Sequence, residues 1–291
     1  MNKFLELIAS GKVLVADGST GANLQRMGLK PGVAPEELVF DQPELLLELE
    51  TAFVEAGSDV ILTCTFGGTR QRMKGSKYAG RVPEVNLRAA ELARQAASTR
   101  ADVLVGGSLG PTGMLLKPYG PLSPEEAFDA YQEQARALAE GGVDLMVIET
   151  QFALEEADAA LKAVQSVTDL PTIVSFSYDR GTRTMMGVKP SDVIKRYKDL
   201  GAALVGANCG TTLENMEKVI QEYAATEPGF PLWIKPNAGL PRVEDGVTLF
   251  DVTPTQMAEF AKRSIPLGAR VVGGCCGNTP GHIAAIVKAV K

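Results

Sequence analysis

The sequence has no cluster of basic residues and no long apolar run, and it holds only four cysteines and one histidine among 291 residues. Each shortage excludes something. With no Lys/Arg-rich stretch and a net charge of −6, the chain lacks the basic face selected by nucleic acid or an anionic membrane surface. No apolar segment approaches the roughly 20 residues needed to span a bilayer. Four cysteines in so long a chain cannot build a disulfide framework. Each is therefore expected to be a buried small hydrophobe, a nucleophile or a metal ligand. The opening segment MNKFLELIASGK carries Glu6 inside its apolar portion, which suits a short amphipathic helix rather than a signal peptide. A cytoplasmic protein with no nucleic-acid or membrane partner is expected.

Apolar residues are abundant, at 45% against 22% charged, close to a soluble globular average and enough for a large core. No Pro/Ser-rich linker interrupts the chain, so residues 1–291 are expected to form one domain. Short β-branched apolar runs recur, each ending in polar or glycine residues: Lys12–Ala16, Asp59–Thr63, Asp102–Gly107, Asp144–Glu149, Thr172–Ser177, Ala203–Asn208, Pro231–Lys235 and Ala269–Gly274. Near-continuous apolar runs of this length suit strands covered on both faces, as in a parallel sheet. Amphipathic stretches lie between them. Pro43–Glu55 has helical spacing, Ser123-Pro124-Glu125-Glu126 is an N-cap with an acidic first turn, and Pro190 and Thr253-Pro254 open two more helices. The phrases EAGSDV, EGGVDL and DLGAAL repeat one joint, a helix ending at glycine just before the next strand.

Eight such units in a chain of this length predict an α/β fold, a single (β/α)8 TIM barrel, which typically takes about 250 residues. A doubly wound open sheet is the alternative. Its usual G-x-G-x-x-G after the first strand is missing from Asp17-Gly18-Ser19-Thr20-Gly21. In a barrel the site lies where the strands end. The polar residues there are Asp17, Thr63-Cys64-Thr65, Ser108, Glu149-Thr150, Ser177, Asn208-Cys209, Asn237 and Cys275-Cys276.

The cysteines are the sharpest signal in that group. Adjacent residues of a strand face opposite ways, so Cys275 and Cys276 cannot both reach one metal from extended backbone. Gly273, Gly274 and Gly277 permit the bend or close approach that would let them. With Cys209 they supply three sulfurs from two strand ends, a soft set that suits zinc and leaves a coordination position open. A vicinal disulfide between Cys275 and Cys276 and inert buried thiols are the plainer readings. Cys64 as a fourth ligand would close the site and make it structural. His282, in Thr279-Pro280-Gly281-His282, reads as a helix-start residue rather than a ligand.

The segments DGSTGANLQRMG, GSDVILTCTFGGTR, GSLGPTGMLLKPYG, VDLMVIET, GANCG, KPNAG and GGCCGNTPGHI carry a resemblance along the whole chain. It resembles the homocysteine S-methyltransferase family and is similar to the homocysteine-binding barrel of cobalamin-dependent methionine synthase. The resemblance implies a zinc-dependent S-methyltransferase with Cys209, Cys275 and Cys276 as ligands. It implies that Glu149 binds the homocysteine amino group, that Asp17-Gly18 is a substrate-contacting turn, and that Asn237 lies near the metal. Ser108, at a strand end, joins these as a substrate-binding candidate.

The sequence departs from that pattern in two places. Cys64 stands where methionine-synthase barrels usually have Asn, and no D-x-H-x-x-G corrinoid motif occurs. A methylcorrinoid donor would therefore come on a partner protein. S-methylmethionine, S-adenosylmethionine and betaine are the alternative donors. A demethylase running the transfer in reverse and a structural zinc scaffold are the remaining readings.

Overall fold

The computed structural model describes every residue except Met1, Pro31, Asp245 and Gly246. The eight apolar runs form strands β1 (Leu14–Val15), β2 (Val60–Leu62), β3 (Leu104–Leu109), β4 (Leu145–Gln151), β5 (Thr172–Phe176), β6 (Leu204–Cys209), β7 (Leu232–Pro236) and β10 (Ala269–Val272). Between β7 and β10 the chain adds a small antiparallel hairpin, β8 (Arg242–Glu244) with β9 (Val247–Leu249), which was not expected although Asp245-Gly246 between two short runs is a local hairpin signal. The other eight strands pair side by side in the order β1-β10-β7-β6-β5-β4-β3-β2. A parallel bridge between Ala16 and Val60 joins the two ends. The sheet thus closes as a barrel, which removes the doubly wound alternative.

Helix α1 (Lys3–Ala9) precedes β1, and α2 (Thr20–Arg26) and α3 (Leu38–Asp41) follow it. The outer ring is α4 (Pro43–Glu55), α5 (Val82–Ala97), α6 (Pro124–Glu140), α7 (Leu154–Gln165), α8 (Pro190–Asp199), α9 (Leu213–Thr226), α10 (Pro254–Ser264) and α11 (Pro280–Val290). The caps read from the sequence are made: Ser123 with Glu126 on α6 and Thr253 with Gln256 on α10 form reciprocal capping boxes. His282 serves in a third. Its Nδ1 meets Thr279 at the start of α11, and its Nε2 lies 3.0 Å from the Val252 carbonyl. The three helix-to-strand joints each turn on a left-handed glycine, Gly57, Gly142 and Gly201 at φ +102°, +79° and +83°.

Two apolar layers result. One fills the ring between strands and helices. The other fills the barrel itself with Leu14, Val60, Leu104, Leu145, Ile173, Leu204 and Trp233, closed below by Phe4 of α1. Asn2 caps α1 and donates to the Asp144 carbonyl at the start of β4, which places α1 at the N-terminal mouth. Inward-facing residues recur every second position. On β4 the series Leu145, Val147, Glu149 therefore passes from the apolar interior to a charged group, and on β7 Trp233 is followed by Lys235. The opposite end of the barrel is polar.

Candidate metal centre and substrate pocket

Strand β6 ends on Cys209, whose φ of +54° is left-handed, and Gly210 follows at +80°. A non-glycine residue there costs about 1–3 kcal/mol and must be held by its surroundings. Asn237 helps to hold it. Its side-chain nitrogen donates to the Gly210 carbonyl at 3.1 Å, and its oxygen accepts from the Cys276 amide at 3.0 Å. One side chain thus ties together both cysteine-bearing arms. On the second arm the Cys275 amide donates to the Pro236 carbonyl at 2.8 Å. Asn278 bonds the same carbonyl at 3.0 Å. At Gly274 a Cβ would fall 2.2 Å from Cγ of Asn278, so only glycine lets the arm pass that close. Gly277, at φ +81°, completes the turn.

Three Sγ atoms meet as a result. Cys209 lies 2.8 Å from Cys275 and 4.0 Å from Cys276, and all three sulfurs are within 4.8 Å of one another. Cys64 is buried and lines the same cavity but stays outside this group. The donor set fits a soft divalent cation such as zinc, which Cys209, Cys275 and Cys276 would hold. The thiols differ in ionisation. Hydrogen bonds from Cys209 and Cys275 hold Cys276 well below the usual thiol range, while the hydrogen bonds to Cys275 and Cys276, then burial, drive Cys209 far above it.

A cavity of about 440 Å³ opens over the sulfurs, walled by Ser108, Glu149, Thr150 and Lys235 on one side and by Glu36, Cys64, Phe66 and Arg72 on the other. Glu149 is buried, and burial raises its carboxyl to about 7 against the opposing pull of Lys235. Its Oε1 accepts from Ser108 Oγ at 2.6 Å. Ser108 is fixed in turn: its amide donates to Thr63 Oγ1 at 3.0 Å and its carbonyl accepts from Thr65 Oγ1 at 2.7 Å. The hydroxyls of Thr63 and Thr65 are 2.6 Å apart, and Gln134 donates to the Thr65 carbonyl at 2.7 Å. The TCTF segment thereby aims a carboxylate four elements later in the chain.

Of the residues singled out in the sequence, Cys209, Cys275, Cys276, Glu149, Ser108 and Gly18 line one cavity. Asn237 stands behind the cysteines as their tie. Asp17 also stands behind the wall: one oxygen accepts from the Leu62 amide at 2.7 Å and the other holds Lys235 Nζ at 2.5 Å. Ser177 turns away to Asp179. Asn208 accepts from the Thr150 amide and from Ser175, and so steadies Thr150 at its left-handed φ of +60°.

Lys235 is a charged cavity-lining residue that reading the sequence missed. Its signal was the i, i+2 spacing from Trp233 at the end of an apolar strand, which turns an ammonium inward. Burial alone would lower its pKa, but Asp17 and then Glu149 outweigh that and the net shift is upward. It stays charged.

The fold is shared with solved enzymes. The homocysteine methyltransferase MmuM from Escherichia coli in its metallated form superimposes with a TM-score of 0.81 at 23% identity, over 97% of each chain. Its oxidized form gives 0.82 at 23% identity over 99% of each. The carboxyl transferase domain of Rhizobium etli pyruvate carboxylase is more distant. It has a TM-score of 0.54 at 11% identity, covering 98% of this chain and 48% of that one. At such identities these likenesses establish the barrel. A family model described as homocysteine S-methyltransferase matches residues 14–290, and on that match the chain is an S-methyltransferase belonging to the homocysteine S-methyltransferase family.

Proposed function

We propose that residues 1–291 act as one zinc-dependent barrel domain that methylates a thiol, homocysteine, at the cluster of Cys209, Cys275 and Cys276. The observation that carries this reading is the convergence of three sulfurs within 4.8 Å on the floor of a cavity that also presents a buried carboxylate. A free thiol is mostly protonated at neutral pH, with a pKa of about 8.5. Zinc, when bound, supplies the Lewis acidity that keeps sulfur ligands deprotonated there.

The chain's own residues do the rest. Asn237 and the Gly274–Gly277 turn hold the cysteine arms so that their sulfurs face the cavity. Glu149, aimed by Ser108, receives the acceptor's ammonium. Holding that end fixes the acceptor sulfur for in-line attack. The sulfur–methyl bond forms as the donor–methyl bond breaks, and the electron pair leaves with the donor.

For the donor, a methylcorrinoid carried by a partner protein is the first reading. The loops after β3, β5 and β7 carry exposed Met114, Leu115, Tyr119, Met185, Met186 and Leu240 at the end of the barrel where the cavity opens, which supports a macromolecular donor. A small donor such as S-methylmethionine, S-adenosylmethionine or betaine is the second reading. The cavity's size favours it, since about 440 Å³ exceeds what one amino-acid thiol fills.

No helix among the described residues is long and apolar enough to cross a membrane, in keeping with the proposed cytoplasmic location. The test is methionine formation by zinc-loaded protein given homocysteine and each donor in turn. Activity is expected to disappear with a chelator and return with Zn²⁺; full activity in metal-free protein would overturn the reading.

A further inference from the structure

The chain holds one histidine, His282, and both of its ring nitrogens are engaged. Nδ1 lies 3.2 Å from the Thr279 amide nitrogen and 2.9 Å from the Thr279 hydroxyl, and Nε2 lies 3.0 Å from the Val252 carbonyl. Those partners fix the state of the ring. An amide N–H only donates and a carbonyl only accepts, so Nδ1 presents a lone pair and Nε2 carries the proton. The imidazole is neutral and held in one tautomer.

These contacts span more than a helix cap. Thr279 follows Cys276 at the end of the cysteine arm. Val252 belongs to the segment returning from β9, and its amide donates to the Ala238 carbonyl at 3.0 Å. The Ala238 amide donates in turn to the Cys276 carbonyl at 2.9 Å. A closed circuit results, running along the chain from Cys276 to His282, across the imidazole to Val252, and through Ala238 back to Cys276. Asn237 ties the arm at the Cys276 amide. His282 ties it at the far end.

We propose that His282 is a positioning residue for the metal centre: its neutral ring holds the Cys276 arm to the segment after β7, and a second proton on the ring opens that circuit and weakens the grip on zinc. This rests on the reading that the three cysteines hold zinc. The added proton would sit on Nδ1, facing the Thr279 N–H, so the cap bond is lost and two donors confront each other. The positive end of the α11 dipole opposes the same proton. Burial lowers the ring's pKa from its usual value against the pull of the Val252 carbonyl, and Arg26 of α2 adds to the lowering. Neighbouring charges are engaged elsewhere. Asp251, beside Val252, bonds Arg242, while on α10 Glu259 bonds Lys262 and Arg263 bonds Glu217. Lys291, at the end of α11, bonds Asp59. The circuit is therefore closed at neutral pH and opens only in acid.

Because no other histidine is present, nitrogen-edited NMR reads this ring without ambiguity. A neutral ring protonated on Nε2 is expected at about pH 7.5; a proton on Nδ1 there would overturn the proposal. Chelator competition then compares zinc affinity in wild type, His282→Gln and His282→Phe. Glutamine keeps the capping contact but cannot titrate, and phenylalanine fills the space with neither bond. At about pH 8, His282→Gln should keep most of the affinity and His282→Phe should lose about ten- to a hundredfold. At about pH 5, wild type should have lost a further three- to tenfold or so against His282→Gln, roughly the worth of one hydrogen bond. Protonation of the cysteines is common to both proteins and cancels in that ratio. A ratio that stays flat with pH would overturn the proposal, whatever the substitutions do to stability.

Hydrogen exchange at the Ala238 amide reads the same circuit in metal-free protein. Its protection should fall in acid in wild type and hold in His282→Gln. Should His282→Phe fail to fold, the glutamine ratio and this exchange measurement decide by themselves. Protein that binds no zinc yet loses this protection in acid would contradict the metal centre alone. Tight zinc binding with a flat ratio would contradict only the role of His282.

Discussion

At the N-terminal mouth of the barrel, Phe4 seals an interior of Leu14, Leu145 and Trp233, all fully buried. At the other end β4, β6 and β7 finish in Glu149, Cys209 and Lys235; Glu149 and Lys235 are buried and Cys209 partly so, with polar atoms facing a cavity. Strands β4 and β7 cross from one regime to the other in two residues each, Val147 to Glu149 and Trp233 to Lys235. The contrast teaches that burial alone does not make a core. The lower end gains stability from apolar area removed from water. The upper end holds charges whose protonation is displaced by desolvation, and strained backbone at Cys209 and Thr150. Stability is concentrated at one end and chemistry at the other.

Breaking the upper end at its centre should have the largest effect. Cys275→Ala removes one of three sulfurs. Because the metal's contribution is several kcal/mol, methyl transfer should fall roughly a thousandfold or more, with bound zinc measured by atomic absorption falling alongside. Near-normal turnover in a zinc-free variant would erase the distinction between the two ends.

The matching cut below is Phe4→Ala, which opens a cavity beneath Trp233 and should cost about 3–5 kcal/mol in urea unfolding. The acceptor's KM should stay within about twofold for the protein that remains folded. A changed KM with unchanged stability would reverse the proposed division of labour.

Glu149 sharpens the comparison through pH. Burial raises its folded value from 4.5 to about 7. An acid with a raised folded value keeps its full stability below the unfolded value and loses it as pH climbs to the folded one. Metal-free Glu149→Gln lacks that loss. It should gain on wild type between about pH 5 and about pH 8 by on the order of 3 kcal/mol, read from urea melts at both ends. A difference that is flat with pH would mean that Glu149 is not held in the desolvated state described.

Smaller again is Asn237→Ala, which unties the two cysteine arms without removing a sulfur. Zinc affinity should weaken about ten- to a hundredfold, the usual cost of losing a supporting group around a metal, as measured by chelator competition. Unchanged affinity would show that the arms hold themselves.

Much of this was legible beforehand because local rules dominate where the chain is regular. The strand runs, the Ser123 and Thr253 caps and the glycine joints depend on neighbours in sequence, and each formed within a residue or two of its expected bounds. The cysteine cluster was legible because GANCG and GGCCG are unusual and sit at strand ends.

What escaped depends on contacts distant in sequence. Gly274 gave no sign that it makes room for Asn278 instead of adopting positive φ. Cys209 gave none that it takes the left-handed backbone itself. Asp17 gave no sign of its ion-pair partner, Lys235, which lies 218 positions away. Phe4 could be placed in a helix from its pattern, but its role as the plug requires knowing that the barrel closes over it.

X-ray absorption at the zinc edge, before and after adding homocysteine, tests the central claim most directly. Three protein sulfurs are predicted at first, with one further zinc–sulfur contact appearing only with the added thiol. Four sulfurs from the outset, Cys64 among them, and a spectrum that the thiol leaves unchanged would contradict it.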